Sequence, residues 1–172
     1  MSSSSVSDVE IEVYLSLGSD IGDRDANLRG ALDALDEAFG VHSDLVSRFY
    51  ETEPWGFESD TQFLNAAVKY ILAVPRGTDP AGFVRWILGI CKGIESSMGR
   101  TGKPEYDSSG NRIYRSRIID IDILMAGAFL IDEPDLKVPH PLMAQRDFVM
   151  IPLMDIASPE IKGIFPWIFD AK

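Results

Sequence analysis

Two aspartates placed two residues apart, Asp120 and Asp122, are the side chains in this sequence best suited to chemistry. They alternate with Ile119, Ile121 and Ile123, and strict alternation predicts a β-strand with one apolar and one acidic face. Carboxylates on one strand face lie about 6.5–7 Å apart at their Cα atoms, and a cation between them relieves their repulsion. By itself, the alternation favours a simpler interpretation, a half-buried strand whose acidic face is solvated.

Arginines just before this strand support the competing interpretation, a site for a phosphorylated substrate. Arg115 and Arg117 precede the aspartates, and Mg²⁺ binds one or two protein carboxylates while phosphate oxygens and water complete its shell. No standard phosphate loop is present: residues 99–103 have the wrong glycine spacing and follow a predicted helix, and residues 18–22 are not a dinucleotide fingerprint. A nucleotide would therefore be bound by scattered side chains and metal.

The elements that must position these residues follow a simple order along the chain. Strands are predicted over residues 10–17, 44–50, 63–73 and 119–124, and helices over residues 27–39 and 80–98. The order β-α-β-β-α-β predicts an α+β, ferredoxin-like sandwich in which two helices pack on one face of an antiparallel sheet. This fold hosts enzymes, regulatory ligand-binding modules and RNA-binding modules, so it does not decide the function.

The remaining segments are predicted to be loops or short pieces. Residues 51–62 form a loop, and residues 99–114, which are polar and contain glycine, form a candidate mobile loop. Residues 148–156 are a short apolar segment after the break at residues 139–141. The serine-rich residues 1–8 have nothing to bury and are expected to be a disordered lead-in to a single domain over residues 9–172.

Composition narrows the function classes. The chain has 172 residues, 45% of them hydrophobic, and a formal net charge of −11. This charge disfavours a nucleic-acid partner and an anionic membrane surface, and no obligate protein partner is implied. No apolar run is long enough to span a bilayer and no signal-peptide pattern is present, so we expect a cytoplasmic protein. Cys91, the only cysteine, lies on the apolar stripe of the second helix and is predicted to be buried.

Four segments carry a resemblance to a known family. They are Leu-Gly-Ser-Asp-Ile-Gly at residues 17–22; residues 50–56 together with 63–65; residues 117–124; and Val-Pro-His-Pro-Leu at residues 138–142, continuing to Arg146 and Phe148. In this order and spacing they resemble the 6-hydroxymethyl-7,8-dihydropterin pyrophosphokinase family of folate biosynthesis. The resemblance extends from residue 14 to about residue 156, and it implies the same ferredoxin-like α+β fold.

The resemblance implies a particular reaction and cofactor. Asp120 and Asp122 would hold two Mg²⁺ ions that bridge the triphosphate of ATP. The hydroxymethyl oxygen of the reduced pterin would attack the β-phosphorus, so that diphosphate is transferred and AMP leaves. Such chemistry requires positioning and charge neutralisation more than a strong base, which agrees with the lack of an obvious nucleophile–base pair.

The resemblance also assigns site residues. For ATP, with Arg100 and Arg117 in catalytic roles, the residues are Lys92, Glu95, Arg100, Tyr114, Arg117, His140 and Arg146. For the pterin they are Thr52, Pro54, Trp55 and Asn65, with Phe63 and Phe148 on either side of the ring. Two aromatic faces and one amide suit a flat polar heterocycle.

Taken singly, most of these residues have a simpler interpretation. Phe63 and Phe148 could be core side chains, and His140 could be a turn residue bonded to the backbone. Glu95 could be paired with Lys92 on a helix face.

The sequence also departs from the family at several positions. Asp20 stands where asparagine is usual, Lys92 where glutamine is expected, and Tyr114 where tryptophan is frequent. Gly102 and Lys103 occupy the region of a second loop arginine. These departures concern the detail of ATP binding.

Alternative functions remain open from the sequence alone. A different Mg-dependent phosphotransferase on this fold would release ADP instead of AMP. A non-enzymatic ferredoxin-like module would bind a small ligand without turnover. An RNA-binding module is disfavoured by the negative charge and by the lack of a basic aromatic platform.

Overall fold

The structure, a computed structural model, describes residues 8–52, 63–99, 105–113 and 118–170. The strands are β1 Val9–Ser19, β2 Leu45–Val46, β3 Tyr50–Thr52, β4 Phe63–Val74, β5 Glu105–Tyr106, β6 Arg112–Ile113, β7 Asp120–Ala126, β8 Ile131–Glu133 and β9 Leu136–Val138. The α-helices are α1 Arg24–Phe39, α2 Pro80–Ser97, α3 Asp147–Met154, α4 Pro159–Ile164 and α5 Pro166–Phe169. A short 3₁₀-helix spans Met143–Gln145.

A five-stranded antiparallel sheet organises the molecule. Its strand order is β7–β1–β4, with β2 and β3 both paired to the other edge of β4. Strands β1 and β4 are therefore central, and the acidic strand β7 is at an edge. This is the strand order of a ferredoxin-like fold and confirms the predicted α+β class.

The two long helices begin and end where their sequence signals indicate. The Asp23 side chain caps α1 by accepting a bond from the Ala26 amide at 3.1 Å, and Gly40 ends the helix at a φ of 73°. The Asp79 side chain caps α2 by accepting from the Gly82 amide at 3.0 Å. Both predicted helices are confirmed, although α1 begins three residues earlier than its periodicity indicated.

The main core lies between these two helices and one face of the sheet. Leu28 and Leu35 of α1 and Ile87 and Cys91 of α2 are fully buried there with Ile119 and other apolar sheet residues. Cys91 is thus the small core residue that its position on the apolar stripe predicted. The isoleucines that alternate with the aspartates face this core, so the aspartates face the other side of the sheet.

The opposite face of the sheet is also covered, which the sequence prediction did not include. Helices α3, α4 and α5 contribute Leu153, Ile161, Phe165 and Ile168 to a second core on that face. The Ser158 amide, at the start of α4, donates to the Tyr14 hydroxyl at 3.1 Å. Helices of four to eight residues are too short to show a reliable helical period, which explains the omission.

The predicted single strand over residues 44–50 was wrong. The structure has β2 and β3 instead, separated by residues 47–49. Between them the Ser47 hydroxyl accepts a bond from the Ala67 amide at 2.8 Å, while the Ser47 amide donates to the Ala67 carbonyl at 2.8 Å. A serine side chain that bonds to the backbone in this way competes with a continuous strand ladder.

Part of the predicted loop over residues 99–114 is an ordered hairpin. Strands β5 and β6 pair, and the Asp107 carboxylate accepts bonds from the Ser109 and Asn111 amides, both at 2.9 Å. An Asp-Ser-Ser-Gly sequence favours such a turn. Residues 1–7 of the predicted lead-in over residues 1–8, and residues 53–62 of the predicted loop over residues 51–62, lie outside the described residues. Across the described ranges, no helix is long and apolar enough to cross a membrane.

Candidate active site

The acidic face of β7 lies beside the central strand of the sheet. Asp120 is opposite Gly18, and Asp122 is opposite Ser16. Both aspartates are partly buried, and they point away from the core formed by α1 and α2. The strand and its alternation are therefore as predicted, and the structure shows partial burial where the simpler interpretation expected full solvation.

The charges around Asp122 leave a local excess of negative potential. Burial, then the nearby carboxylates of Asp120 and Glu95, raise the pKa of Asp122 to about 7, against the opposing effects of Arg146 and Lys92. With both aspartates ionised, this face is thus destabilised unless a cation binds. A bound divalent cation would reverse the balance.

Glu95 fixes the position of the acidic strand. Its side chain is 1% exposed, and its Oε2 atom accepts a bond from the Ile121 amide at 2.9 Å. Because β7 is at the edge of the sheet in the described residues, Glu95 supplies the acceptor that a neighbouring strand would give this buried amide. The Lys92 ammonium lies 3.6 Å from Oε1, so the expected helix-face pair is present as well.

His140 is attached to the same strand. Its amide donates to the Leu124 carbonyl at 2.9 Å, and its Nδ1 atom accepts from the Leu142 amide at 3.3 Å. Burial, then the charge of Arg146, lowers the pKa of His140, although Asp120 opposes the shift. A neutral ring that accepts at Nδ1 carries its proton on Nε2. His140 is therefore both a turn residue bonded to the backbone and a neighbour of the acidic face.

Arg146 is the described arginine that acts on this face. It is partly buried just before α3, and its guanidinium carbon lies 5.7 Å from the centre of the Phe148 ring. Its positive charge lowers the pKa values of both Asp122 and His140. The predicted phosphate arginine thus lies within electrostatic reach of the predicted metal ligands.

A glycine separates the acidic face from the predicted pterin pocket. Gly18 lies between Asn65 and Asp120 in one cross-strand row. A Cβ atom on Gly18 would be 3.1 Å from Asn65 Oδ1 and 3.4 Å from the Phe63 ring, so the close approach of these side chains depends on glycine. From the sequence, Gly18 is only one residue of the motif at residues 17–22, and the predicted strand over residues 10–17 ends just before it. No local signal therefore indicated that β1 continues through this glycine to Ser19.

Two of the predicted pterin side chains, Asn65 and Phe63, lie on the same face of the sheet as the aspartates. Asn65 is 3% exposed, and Phe63 on the same strand is partly buried. Phe148 is partly buried in the first turn of α3, which packs against β4. Neither phenylalanine is fully buried, as a plain core residue would be. The sandwich of a pterin ring between them stays a prediction.

Several predicted site residues cannot be placed. Thr52 ends β3 with its backbone paired to Phe63. Pro54, Trp55, Arg100, Tyr114 and Arg117 lie outside the described residues. The structure does bring together one group with mutual electrostatic effects: Lys92, Glu95, Asp120, Asp122, His140 and Arg146.

The donor set of the acidic face suits a hard cation that carries its own ligands. In the part of the chain that the structure describes, no group of three or more His, Cys, Asp or Glu side chains could hold a metal ion. Asp120 and Asp122 provide carboxylate oxygens from one rigid strand, and Glu95 is engaged with the backbone. Mg²⁺ is commonly bound by one or two carboxylates and completed by substrate phosphates and water, so these residues fit Mg²⁺ delivered with a phosphate ligand.

Comparison with known proteins gives consistent matches. The sequence model of the family described as 7,8-dihydro-6-hydroxymethylpterin-pyrophosphokinase matches residues 14–158. A 2-amino-4-hydroxy-6-hydroxymethyldihydropteridine pyrophosphokinase of Porphyromonas gingivalis is 47% identical over 146 residues, or 84% of this chain and 90% of that protein. A protein of the same name from Methylorubrum extorquens is 35% identical over 150 residues, covering 87% of this chain and 85% of its own length. One from Bacillus subtilis is 36% identical over 145 residues, covering 84% and 77%.

Proposed function

Because the chain belongs to the 7,8-dihydro-6-hydroxymethylpterin-pyrophosphokinase family, we propose that the acidic face of β7 binds the Mg²⁺–ATP complex of that family's reaction. The chain is a transferase that moves diphosphate from ATP to the hydroxymethyl group of 6-hydroxymethyl-7,8-dihydropterin in folate biosynthesis. The observation that carries the proposal is the pair Asp120 and Asp122 on one partly buried strand face, with the pKa of Asp122 raised to about 7.

The reaction requires accurate placement of two substrates. The pterin hydroxyl oxygen bonds to the β-phosphorus, the bond from that phosphorus to the α-phosphate bridging oxygen breaks, and AMP leaves with the electron pair. The hydroxyl proton passes to solvent. When bound with ATP, Mg²⁺ neutralises phosphate charge and orients the phosphate oxygens. We propose that Asp120 and Asp122 would hold two Mg²⁺ ions, which would supply this charge neutralisation.

The described residues have distinct parts in this proposal. Asp120 and Asp122 supply fixed carboxylate oxygens, and Glu95 holds the strand between them through the Ile121 amide. Arg146 provides positive charge for the phosphates, and neutral His140 can donate from Nε2 to a nucleotide oxygen. Each group is held by backbone bonds or burial, so little reorganisation is required when substrate arrives.

We propose that the pterin pocket lies at the Asn65 end of the cross-strand row formed by Asn65, Gly18 and Asp120. Asn65 is buried next to Gly18, where its amide can bond to the edge of a heterocycle that displaces its present contacts. Phe63 and Phe148 supply aromatic faces. The family resemblance supports the assignment of Thr52, Pro54 and Trp55 to this pocket.

The remaining site residues are assigned by the family resemblance alone. We propose that Arg100 and Arg117 bind the transferred phosphates as catalytic residues, and that Lys92 and Tyr114 contact the nucleotide.

We also propose one domain over residues 9–172. The packing of α3, α4 and α5 on the sheet that contains β1 supports this proposal. A cytoplasmic location is proposed because the reaction consumes ATP.

The reaction product tests the proposed function. We expect the protein, incubated with ATP, Mg²⁺ and 6-hydroxymethyl-7,8-dihydropterin, to form AMP and pterin diphosphate in equal amounts. Omitting the pterin or adding EDTA should stop AMP formation. Formation of ADP would indicate a different phosphotransferase, and binding without turnover would indicate a ligand-binding module.

A further inference from the structure

A carboxylate at the end of α3 holds the segment that leads into the predicted pterin pocket. Asp155 accepts bonds from the Arg48 amide at 3.0 Å, from the Arg48 guanidinium at 3.1 Å and from the Tyr50 hydroxyl at 2.8 Å. The guanidinium carbon also lies 5.4 Å from the centre of the Tyr50 ring. One side chain of α3 therefore engages two alternate residues at and before β3.

The intervening residues of this segment are held from the other side by α1. The Arg24 guanidinium donates to the Glu51 carboxylate, and the Arg29 guanidinium carbon lies 5.2 Å from the centre of the Phe49 ring. Residues 48 and 50 thus contact Asp155, while residues 49 and 51 contact α1. This alternation is what a strand clamped between two helices requires.

The clamped strand supports one wall of the predicted pterin pocket. In the pairing of β3 with β4, Tyr50 is opposite Asn65 and Thr52 is opposite Phe63. The helix that ends at Asp155 carries Phe148 in its first turn. Asp155 therefore connects the strand beside Asn65 and Phe63 to the helix that bears the other aromatic ring.

We propose that Asp155 is a positioning residue that sets the distance between the two walls of the pterin pocket, an inference that rests on the proposed function. A carboxylate at a helix C-terminus is disfavoured by the helix dipole, so Asp155 gains its stability there from the Arg48 and Tyr50 donors. The Asp155 side chain is 19% exposed, but the Arg48 side chain is 79% exposed, so the ion-pair part of this contact adds little to global stability. Removal of the Asp155 charge should therefore change the geometry of the pterin pocket more than the stability of the fold.

Steady-state kinetics with matched variants tests this inference. Asp155→Asn removes the charge and one acceptor. Asp135→Asn makes the same change in a pair of Arg85 with Asp135 that lies between α2 and the β8–β9 turn. We expect Asp155→Asn to raise the KM for the pterin roughly three- to fivefold, the scale of a partly exposed charged contact. The KM for ATP and kcat should be unchanged, and Asp135→Asn should match the wild type.

Two further variants separate positioning from damage to the fold. Tyr50→Phe loses only a hydroxyl and should raise the pterin KM by less, whereas Asp155→Glu keeps the charge and should restore most of the wild-type value. An unchanged pterin KM in Asp155→Asn would overturn the inference. So would an equal rise in both KM values accompanied by a lower melting temperature.

Failure of the proposed function gives a different result. In that case the wild type itself forms no AMP. Calorimetric titration of the wild type and Asp155→Asn with the pterin, in the presence of Mg²⁺ and a non-hydrolysable ATP analogue, then decides the inference. Weaker pterin binding by the variant alone supports it, and equal binding or no binding overturns it.

Discussion

At the scale of single residues, the carboxylates on the acidic face of β7 lower the stability of the cation-free protein. Asp120, Asp122 and Glu95 place three carboxylates around one edge strand, and one oxygen of Glu95 is bonded to that strand. Like charges with little solvent around them repel, and the cost is visible in the raised pKa of Asp122. An amide at position 122 would avoid this cost, but it would lose an anionic ligand.

The first prediction concerns the stability of the metal-free protein. The folded pKa of Asp122, about 7, exceeds the ordinary aspartate value of 3.8, so the folded state retains the proton more strongly. The stability from this group is complete below pH 3.8 and is lost as the pH rises to about 7. In EDTA, Asp122→Asn should therefore be more stable than wild type at pH 8, by about 1–3 kcal/mol, and nearly equal to it at pH 4.

Chemical denaturation at the two pH values measures this difference. Asp135→Asn is the control, because hydrogen bonding to Arg85 lowers the pKa of that exposed carboxyl and its loss should give no gain in stability at pH 8. A variant Asp122→Asn that is less stable than wild type at pH 8 would show that the carboxylate is not electrostatically strained.

The second prediction concerns Asn65. Asn65→Ala should weaken pterin binding by about 1–3 kcal/mol, because a buried polar ring edge would lose its partner, and it should leave ATP binding nearly unchanged. Calorimetric titration with each ligand measures both effects. Equal losses for the two ligands would mean that Asn65 supports the fold near Gly18 instead of contacting the substrate.

At the scale of elements, β7 is held in the central sheet. The β5–β6 hairpin, in contrast, lies in the sequence between two residues that we assign to phosphate binding. Arg100 precedes the hairpin and Arg117 follows it in the sequence. The hairpin turn is held by Asp107, so the hairpin can move as a unit. A cover over bound nucleotide would exclude water that competes with the pterin hydroxyl.

The third prediction is that this hairpin is a lid. The amides of residues 105–113 should exchange with solvent more slowly when Mg²⁺, a non-hydrolysable ATP analogue and the pterin are bound. The β8–β9 hairpin, also two-stranded, is the internal control, and residues 131–136 should exchange equally in both states. Equal exchange of residues 105–113 with and without ligands would rule out closure.

At the scale of the whole molecule, the sequence predicted the long elements and missed what depends on tertiary proximity. The periods of β1, β4, α1 and α2 are long and regular, and they were sufficient for the ferredoxin-like class. Helices α4 and α5 have six and four residues, too few for a period. The split between β2 and β3 depends on Ser47 bonding to a strand twenty residues away.

The candidate site likewise has features that the sequence predicted and features that depend on tertiary contacts. The alternation around Asp120 and Asp122 indicated the acidic face, and the spacing of the motifs carried the resemblance that assigned Asn65, His140 and Arg146. In contrast, the bond from Ile121 to Glu95 and the Asp155 clamp join residues 26 and 107 positions apart. No local pattern predicts such pairs, because they arise only when the helices pack on the sheet.

The rate of AMP formation by Asp120→Asn and Asp122→Asn decides whether the acidic face binds the reacting Mg²⁺–ATP complex. Each variant should fold, yet lose at least about 100-fold in kcat/KM at moderate Mg²⁺, because metal charge stabilisation is worth several kcal/mol in the transition state. Asp135→Asn, measured in parallel, should retain wild-type activity. Near-normal rates in either β7 variant would contradict the assignment of this face as the metal site.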